Sequence, residues 1–433
     1  MEISNSSSSV PVSSTERPIA LDTSVFPDLK EFGKSLALSR YGQPKAFEIQ
    51  PSYLGLAGSD LIERLGLAPS IHSGFPYLTP VGKLLVNSIE TRIRELARSF
   101  GFLEIELPTV SPTALIEKTG VLDQFAPEIM KLSSPHDSLH LSATTEEPLL
   151  AYLERMGITS YRDFPLQLFH FNDVYRWLQR TKGFFSTREI HTCICALLST
   201  DQDMLIDGVE RFSQMCVKLW QDCGIEIKVI RADSGDAVEH FYSGSRSDRR
   251  LSDSVAVTKS ADGSAELASD SDNLMTSLCM AYTYKHMSKF ALEVNGANGE
   301  RIVPSLVTCG IGIQRILIAL FDQNRDSNGV SFPKQFRPWD VVIVPLDNEQ
   351  LDLAYRMGPH LHDAGYRTII DDRTGRSLGS RLQTWDFWGT PARIVIGDRE
   401  SSKGECEVRF RGARDKKIIN SSELIGVLKD YPL

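Results

Sequence analysis

The feature that most constrains the fold is a basic hairpin between two apolar stretches, within residues 171–189. The sequence FNDVYRWLQRTKGFFSTRE places Arg176 at the end of an apolar run typical of a strand, passes a basic turn, and returns to Arg188. A guanidinium fixed at the end of a strand suits a triphosphate, because it bonds phosphate oxygens in pairs and keeps its charge. A surface hairpin held by ordinary salt bridges is the simpler alternative.

A second arginine favours the phosphate interpretation. It lies far along the chain in CGIGIQRILIALFDQ, where Gly310 and Gly312 predict a backbone that closely approaches a ligand or another strand. Arg315 opens a run of apolar residues with helical spacing, which predicts a helix with one buried face. The N-terminal amides of such a helix, together with a fixed cation, favour anions.

Four stretches occur in a fixed order along the chain. They are LLVNSIETRIRELARSFGFLEIELPTV with Pro108, the segment from LSATTEEP to VYRW, GIGIQRIL, and DDRTGRSLGSRLQTWDFWGTPARIVIGDR. In this order they resemble motifs 1, 2 and 3 and the anticodon-binding domain of class II aminoacyl-tRNA synthetases. The resemblance is closest to prolyl-tRNA synthetase of the archaeal and eukaryotic type. It runs from about Gly74 to the C-terminus.

This resemblance implies an α+β fold, in which a class II antiparallel sheet flanked by helices is followed by an α/β domain like those that bind anticodons. We expect the catalytic domain over residues 71–335 and the second domain over residues 338–433. Residues 21–70 form an N-terminal extension without an assigned role. Residues 1–20 are rich in serine and are expected to be a disordered arm.

Local patterns predict several elements directly. A helix is expected to begin at Thr79-Pro80 with one buried stripe, and a strand to follow in which Leu103, Ile105 and Leu107 are buried. A second amphipathic helix is expected in MLIDGVERFSQMCVKLWQDCGI, with Met204 among its inward residues. After Asp340, strands alternate with helices, which predicts a mostly parallel sheet covered on both faces.

Composition narrows the functional classes. A net charge of −9 argues against a protein that coats nucleic acid, so any tRNA contact requires a local basic patch. The chain has seven cysteines and no CxxC pair, so we expect reduced, mostly buried thiols, no metal site and a cytoplasmic protein. No apolar stretch is long enough to predict a membrane span or a secretion signal.

The resemblance also implies roles for named residues. Arg176 would contact the α-phosphate of ATP and the substrate carboxylate, and Arg315 the γ-phosphate. Thr144 and Glu146 would hold the substrate ammonium group, although TTEEP is also a typical start of a helix. The expected catalytic pair is therefore Arg176 and Arg315.

Several positions depart from the family pattern. Leu178 occupies the place of the glutamate that receives the adenine amino group, and Ile190 that of the phenylalanine that stacks on adenine. The family's tryptophan, glutamate and histidine around proline correspond here to Thr192, Ile194 and Ala196. The expected ATP-binding positions are Arg176, Leu178, Arg188, Ile190, Gly310, Gly312 and Arg315.

Two functions follow from these observations. The first is a ligase that activates an amino or carboxylic acid with ATP and Mg²⁺ as an acyl-adenylate, and transfers it to tRNA or another acceptor, with a substrate altered from proline. The second is a catalytically inactive relative that acts as a regulatory or binding subunit. In both cases the resemblance implies a homodimer formed through motif 1.

Overall fold

The computed structural model describes residues 29–133, 138–225, 292–398 and 402–431 of the 433-residue chain. Between these ranges it describes the backbone of residues 227–231, 237–244, 256–259, 265–268 and 273–282, and residues 289–290. The Ser-rich arm expected over residues 1–20 lies outside the described residues. Among the described residues, no helix combines the length and the apolar character that crossing a membrane requires.

The helices fall into an N-terminal group, a group around a large sheet, and a C-terminal group. In chain order they are α1 (Leu29–Ser35), α2 (Pro44–Phe47), α3 (Gly58–Arg64), α4 (Pro80–Ser99), α5 (Thr113–Thr119), α6 (Val121–Phe125), α7 (Glu146–Arg155), α8 (Gln202–Asp222), α9 (Ile313–Gln323), α10 (Leu351–Asp363), α11 (Leu378–Phe387) and α12 (Leu424–Lys429).

The strands form one large sheet, one sheet of intermediate size and several short pairs. In chain order they are β1 (Ser70–His72), β2 (Phe75–Pro76), β3 (Leu103–Glu104), β4 (Val110–Pro112), β5 (Lys131–Leu132), β6 (Leu139–Leu141), β7 (Leu166–Tyr175), β8 (Glu189–Ser199), β9 (Ile227–Arg231), β10 (Ala237–Gly244), β11 (Ala256–Lys259), β12 (Ala265–Ala268), β13 (Asn273–Tyr282), β14 (Val294–Asn295), β15 (Arg301–Ile302), β16 (Ser305–Gly312), β17 (Val341–Pro345), β18 (Thr368–Ile370), β19 (Ala392–Ile396), β20 (Glu405–Phe410) and β21 (Lys417–Asn420).

The large sheet has seven strands in the order β3-β7-β8-β16-β13-β10-β9. All neighbours are antiparallel except β3 and β7. Strands β7 and β8 form the predicted hairpin, paired from Leu166 and Leu198 to Tyr175 and Glu189. The antiparallel sheet expected for the first domain is confirmed.

Alternation along these strands gives the sheet two different faces. Odd-numbered residues such as Phe169, Cys193 and Cys309 are buried in a core shared with α4, α8 and α9. Even-numbered residues at one end, such as Leu168 and Leu198, pack in a second cluster with leucines of α7. The even-numbered residues at the other end form a surface that we name the substrate face. Its residues are His170, Asn172, Val174, Ile190, Thr192, Ile194, Gly310 and Gly312.

Helix α4 begins where the sequence predicts, and its residues Leu85, Ile89 and Ile93 are buried. Thr79 precedes it, but its side chain makes no cap bond within the helix. The Thr79 hydroxyl instead bonds the carbonyl oxygens of Gly66 and Leu67, at 2.9 and 3.0 Å. The residue thus ties the helix to the N-terminal extension.

The strand predicted over residues 103–107 is only partly correct. β3 contains only Leu103 and Glu104, and Leu103 is 69% exposed although Leu107 is buried. Glu104 turns toward α4, where Arg94 and Arg98 donate to its carboxylate at 2.8 and 2.9 Å. The predicted alternation of side chains between the two faces is therefore correct. The predicted burial of Leu103 is wrong, because β3 is an edge strand and nothing in the described chain covers this residue.

Helix α8 follows the predicted pattern, with one correction. Phe212, Cys216 and Trp220 are buried as expected. Met204 is 43% exposed, because its neighbour Leu205, at 4% exposed, takes the core-facing position in the first turn of the helix. The six cysteines whose side chains are described are free and buried, as predicted: Cys193, Cys195, Cys216, Cys223, Cys309 and Cys406.

The C-terminal sheet has the order β18-β17-β19-β20-β21. Its first three strands are parallel, whereas β20 and β21 are antiparallel, so the expectation of a mostly parallel sheet is wrong for this half. The connections into β20 and β21 are too short for the crossover that parallel strands require. Coverage of both faces is confirmed, because Ile343 packs toward α10 and α12 while Val342 joins the large core.

The N-terminal extension connects the two sheets. Phe47 is 1% exposed and packs among Trp339, Trp385 and Trp388, with ring centroids 5.7, 5.8 and 6.4 Å away. The indole nitrogen of Trp388 donates to the Ala46 carbonyl at 2.7 Å. The WDFWGTP turn is therefore a packing junction between the extension and the C-terminal domain.

Candidate nucleotide-binding site

The turn of the β7–β8 hairpin is anchored to the body of the protein. Phe184 and Phe185 are buried, and the Phe184 amide donates to the Glu63 carboxylate at 3.2 Å. Gly183 has a positive φ of 52°, and a β-carbon there would lie 1.9 Å from a Glu63 oxygen. Only glycine fits this position, so the turn holds its flanking arginines in fixed places.

Arg176 follows β7 directly. Its Nε donates to the Ala143 carbonyl at 3.0 Å, and its guanidinium carbon lies 4.7 Å from the centroid of the Phe125 ring. These two contacts fix the plane of the fork. Within the described residues its two terminal nitrogens bond no other group.

Arg315 lies in the first turn of α9, with its guanidinium carbon 5.1 Å from the centroid of the Phe185 ring. Strands β7 and β16 flank β8 on its two sides, and both run antiparallel to it. Their last residues, Tyr175 and Gly312, pair with Glu189 and Thr192 near the start of β8. Arg176, which follows β7, and Arg315, in the helix that follows β16, therefore lie at the same end of these three strands.

Arg188 has a different environment from the other two arginines. It is 8% exposed, and it donates to the carbonyl oxygens of Leu178 at 2.9 Å and Ser73 at 3.1 Å. Its guanidinium carbon lies 4.0 Å from the centroid of the Trp177 ring. Arg188 holds the hairpin together, and Leu178 takes part through its backbone oxygen.

Glu146 is the first residue of α7, at the other end of the substrate face. One carboxylate oxygen accepts from the Thr308 hydroxyl at 3.2 Å, and the other accepts from the Thr145 amide at 3.0 Å. Glu146 thus lies in the first turn of a helix, as TTEEP predicts, and its carboxylate also reaches β16. Its role toward a substrate ammonium group stays a prediction.

The sequence interpretation missed Glu147. Its carboxylate accepts from the hydroxyls of Thr144 at 2.5 Å and Thr119 at 3.1 Å, and its side chain is buried. Burial raises the pKa of Glu147, and the negative charge of Glu146 raises it further. The Thr144 hydroxyl therefore donates to the Glu147 carboxylate, whereas the sequence prediction directed it at a substrate ammonium group shared with Glu146.

The three positions that depart from the family around proline occupy successive places on β8. Ala196 is buried in the cluster with α7, while Ile194 and Thr192 are half-buried on the substrate face. The Thr192 hydroxyl donates to the carbonyl of Asn172 at 3.2 Å. Ile190 continues the same row opposite Val174.

His170 lies in the same region and was not among the predicted site residues. It is fully buried opposite Ile194, and burial lowers its pKa to about 4. The alternation that runs back from Arg176 through Val174 and Asn172 to His170 was the signal that places it on the substrate face.

A cavity of about 460 Å³ lies on the opposite face of the same two strands. Its lining includes Lys83, Asp173, Glu189 and His191. The His191 ring bonds Asp173 at 2.7 Å through Nδ1 and Glu90 at 3.1 Å through Nε2. Burial alone would lower the pKa of His191, but hydrogen bonds to these carboxylates outweigh it and raise the pKa to about 9.

This shift predicts a pH-dependent stability. The histidine pKa rises from its ordinary value of 6.5 to about 9 on folding, so its contribution is complete below pH 6.5 and is lost as the pH rises through 9. Urea denaturation should show a free energy of unfolding that falls between pH 6.5 and 9 more steeply in the natural protein than in His191→Gln. Equal slopes for both proteins would contradict the assignment.

Among the described residues, one group of three metal-ligating side chains could share an ion: Asp347, Glu349 and Asp398, in the C-terminal domain. On the substrate face, the Glu146 carboxylate is already bonded to Thr308 and Thr145.

Comparison with known proteins agrees with this geometry. Residues 130–324 match the family described as the tRNA synthetase class II core domain (G, H, P, S and T), and residues 340–431 match the anticodon binding domain. The proline–tRNA ligase of Rickettsia typhi is 24% identical over 91% of this chain and all of its own length. That of Zymomonas mobilis is also 24% identical, over 91% of this chain and 98% of its own.

Solved structures show the same fold. The prolyl-tRNA synthetase of Giardia lamblia in complex with prolyl-adenylate has a TM-score of 0.66 at 21% identity, covering 87% of this chain and 80% of its own. The Cryptosporidium parvum enzyme complexed with halofuginone and AMPPNP has a TM-score of 0.66 at 17% identity, covering 86% and 74%. The chain therefore contains a class II tRNA synthetase core domain followed by an anticodon-binding domain.

Proposed function

We propose that the protein is a prolyl-tRNA synthetase-like ligase that uses ATP to activate an amino acid as its adenylate. The observation that carries this proposal is the placement of Arg176 and Arg315 at the same end of β7, β8 and β16. Glu146 lies on the same face, where a carboxylate suits the ammonium group of an amino acid. Similarity to proline–tRNA ligases over most of the chain supports the same activity.

In the proposed reaction, a carboxylate oxygen of the amino acid bonds to the α-phosphorus of ATP. The bond from that phosphorus to the bridging oxygen breaks, and pyrophosphate leaves. Negative charge spreads over the phosphate oxygens in the transition state, so fixed cations supply most of the stabilisation. Arg176 would act at the α-phosphate and the carboxylate, and Arg315 at the γ-phosphate.

The amino acid is proposed to differ from proline. Thr192, Ile194 and Ala196 stand where the family's proline pocket has a tryptophan, a glutamate and a histidine. Replacement of an aromatic and two polar side chains changes both the volume and the hydrogen-bonding of the pocket. The polar side chains on this face are then Thr192 on β8 and His170 and Asn172 on β7.

Exchange of labelled pyrophosphate into ATP tests the activation step. Incubation with ATP, Mg²⁺ and a panel of amino acids is expected to yield labelled ATP with at least one acid. Absence of exchange with every acid, combined with no heat of ATP binding in calorimetry, would contradict the proposed enzyme.

Transfer to tRNA is the proposed second step, in which the adenylate's acyl group passes to a ribose hydroxyl and AMP leaves. The match of residues 340–431 to an anticodon-binding domain supports it. Total tRNA is expected to shift on a native gel at low salt and to be released as salt rises. No shift at low salt would point to a different acceptor.

Loss of the adenine contacts favours a second candidate function. Leu178 and Ile190 cannot reproduce the glutamate and phenylalanine of the family, and an inactive binding subunit would not need them. The same calorimetry separates the two functions, since a binding subunit that retains the pocket would bind ATP or an amino acid without any exchange.

We also propose a homodimer formed through the motif 1 region. Support comes from large apolar side chains that the chain leaves exposed there: Leu103 at 69%, Val110 at 41% and Leu84 at 39%. Burial of such a group against a second copy is favourable by roughly 25 cal/mol per Å² of apolar area.

Sedimentation tests the dimer. The natural protein is expected to sediment as a dimer, and Leu103→Glu as a monomer at the same concentration, because a charge would then be buried at the interface. Ile418→Glu is the matched control, because Ile418 is 48% exposed on the edge strand of the other sheet. A monomeric natural protein would contradict the proposal.

A further inference from the structure

His170 is the most unusual polar side chain of the substrate face. It is 0% exposed, and its neighbours in register are Ile194 on β8 and, one strand further, Gly310 on β16. Because directly paired residues of an antiparallel sheet share a face, His170 adjoins two positions that the family uses around its substrates.

Neither ring nitrogen of His170 has a hydrogen-bond partner among the described residues. The amide nitrogen of Asn172, next on the same face, also lacks one within the described chain. Burial lowers the pKa of His170 to about 4, so at neutral pH the ring is uncharged and offers one donor and one acceptor. Unpaired buried groups of this kind are unfavourable, and they are found where a ligand completes the pairing.

A loop crosses above these residues. At one end, the Ser142 carbonyl accepts from the Tyr175 amide at 2.9 Å, on the side of β7 away from β8. At the other end, Glu146 accepts from Thr308 on β16. Residues 143–145 therefore cross β7 and β8 on the face that carries His170, which is fully buried.

From this arrangement we infer that the activated amino acid carries an uncharged hydrogen-bonding side chain, a hydroxyl or a carboxamide, which pairs with His170 and Asn172. The inference rests on the proposed activating function. With its ammonium group at Glu146 and its carboxylate toward Arg176, the acid would direct its side chain into the layer beneath the loop. A charged side chain is excluded, because that layer is shielded from solvent and the imidazole there is neutral.

The enzyme should strongly prefer an amino acid with a polar side chain over its apolar analogue. A site built to pair with a hydroxyl or amide rejects an analogue that lacks it, because its own buried polar groups then stay unpaired. We expect kcat/KM for exchange to favour the polar member of a matched pair by at least about 100-fold. Suitable pairs are threonine and valine, 4-hydroxyproline and proline, and glutamine and methionine.

The test compares exchange for these pairs in the natural protein and in His170→Leu. The variant is expected to reduce the polar-over-apolar preference by at least about 10-fold while leaving the KM for ATP unchanged. His170→Asn keeps a donor and an acceptor, so it should retain part of the preference. The matched control is His360→Leu on the exposed side of α10, which should leave the preference unchanged.

The outcomes separate this inference from the proposed function. Exchange that is as fast with proline or valine as with the polar partners, and unaffected by His170→Leu, would overturn the inference and leave the enzyme standing. No exchange with any acid would overturn both. If His170→Leu does not fold, the pair preference of the natural protein and of His170→Asn decides.

Discussion

Replacing Arg176 by alanine is expected to lower kcat/KM for pyrophosphate exchange by about 30- to 1,000-fold. The change removes a preorganised cation from the phosphate that carries the developing charge, which is worth roughly 2 to 4 kcal/mol of transition-state stabilisation. Arg176→Lys should recover little of this, because an ammonium group cannot bond two oxygens in the fixed plane that Phe125 and the Ala143 carbonyl define.

The matched control is Arg162→Ala. Arg162 is an exposed arginine in the turn before β7, at the end of that strand opposite to Arg176. Its replacement should leave exchange within about 2-fold of the natural rate, since surface substitutions away from a site have small effects. Equal effects of the two substitutions would show that Arg176 acts only through general electrostatics.

The second large effect concerns stability. Phe47→Ala is expected to lower the free energy of unfolding by about 3 to 5 kcal/mol, because it opens a cavity among buried aromatic rings that cannot collapse. Phe47 packs against Trp339, Trp385 and Trp388, and its carbonyl accepts from the Arg373 guanidinium at 2.7 Å. The loss should therefore loosen the extension from the C-terminal domain as well.

Urea denaturation followed by tryptophan fluorescence measures this effect, since three of the reporting indoles surround the cavity. Ile206→Ala is the control, because Ile206 is 60% exposed on α8 and its truncation should change the free energy of unfolding by less than about 0.5 kcal/mol. A similarly small change for Phe47→Ala would mean that the extension contributes nothing to the folded core.

The central sheet was predictable because its signals are local. The apolar alternation of β7 and β8 predicts the hairpin, and GIGIQRIL predicts a strand that runs into a helix, as β16 and α9 do. Arg176 follows the end of β7 by one residue, and Arg315 follows the end of β16 by three. The patterns that predict these strands therefore also place both arginines at the strand ends. Whether they bind ATP stays a prediction.

What could not be predicted depends on packing between distant parts of the chain. Phe47 packs against tryptophans at positions 339, 385 and 388, far later in the sequence. No local pattern predicts these contacts. Leu103 belongs to an alternating pattern that predicts burial. It is nevertheless exposed, because it lies on an edge strand where no described residue packs over it. From the sequence, His170 is one polar residue in an apolar strand, and no local pattern shows that the loop at residues 142–146 crosses the face on which it lies.

A crystal structure with a non-hydrolysable ATP analogue tests the nucleotide site most directly. The triphosphate should lie at the edge where β7 and β16 end, bonded by the terminal nitrogens of Arg176 at its α-phosphate and by Arg315 at its far end. An analogue bound instead in the cavity lined by His191, or against neither arginine, would contradict the assignment of this face to ATP chemistry.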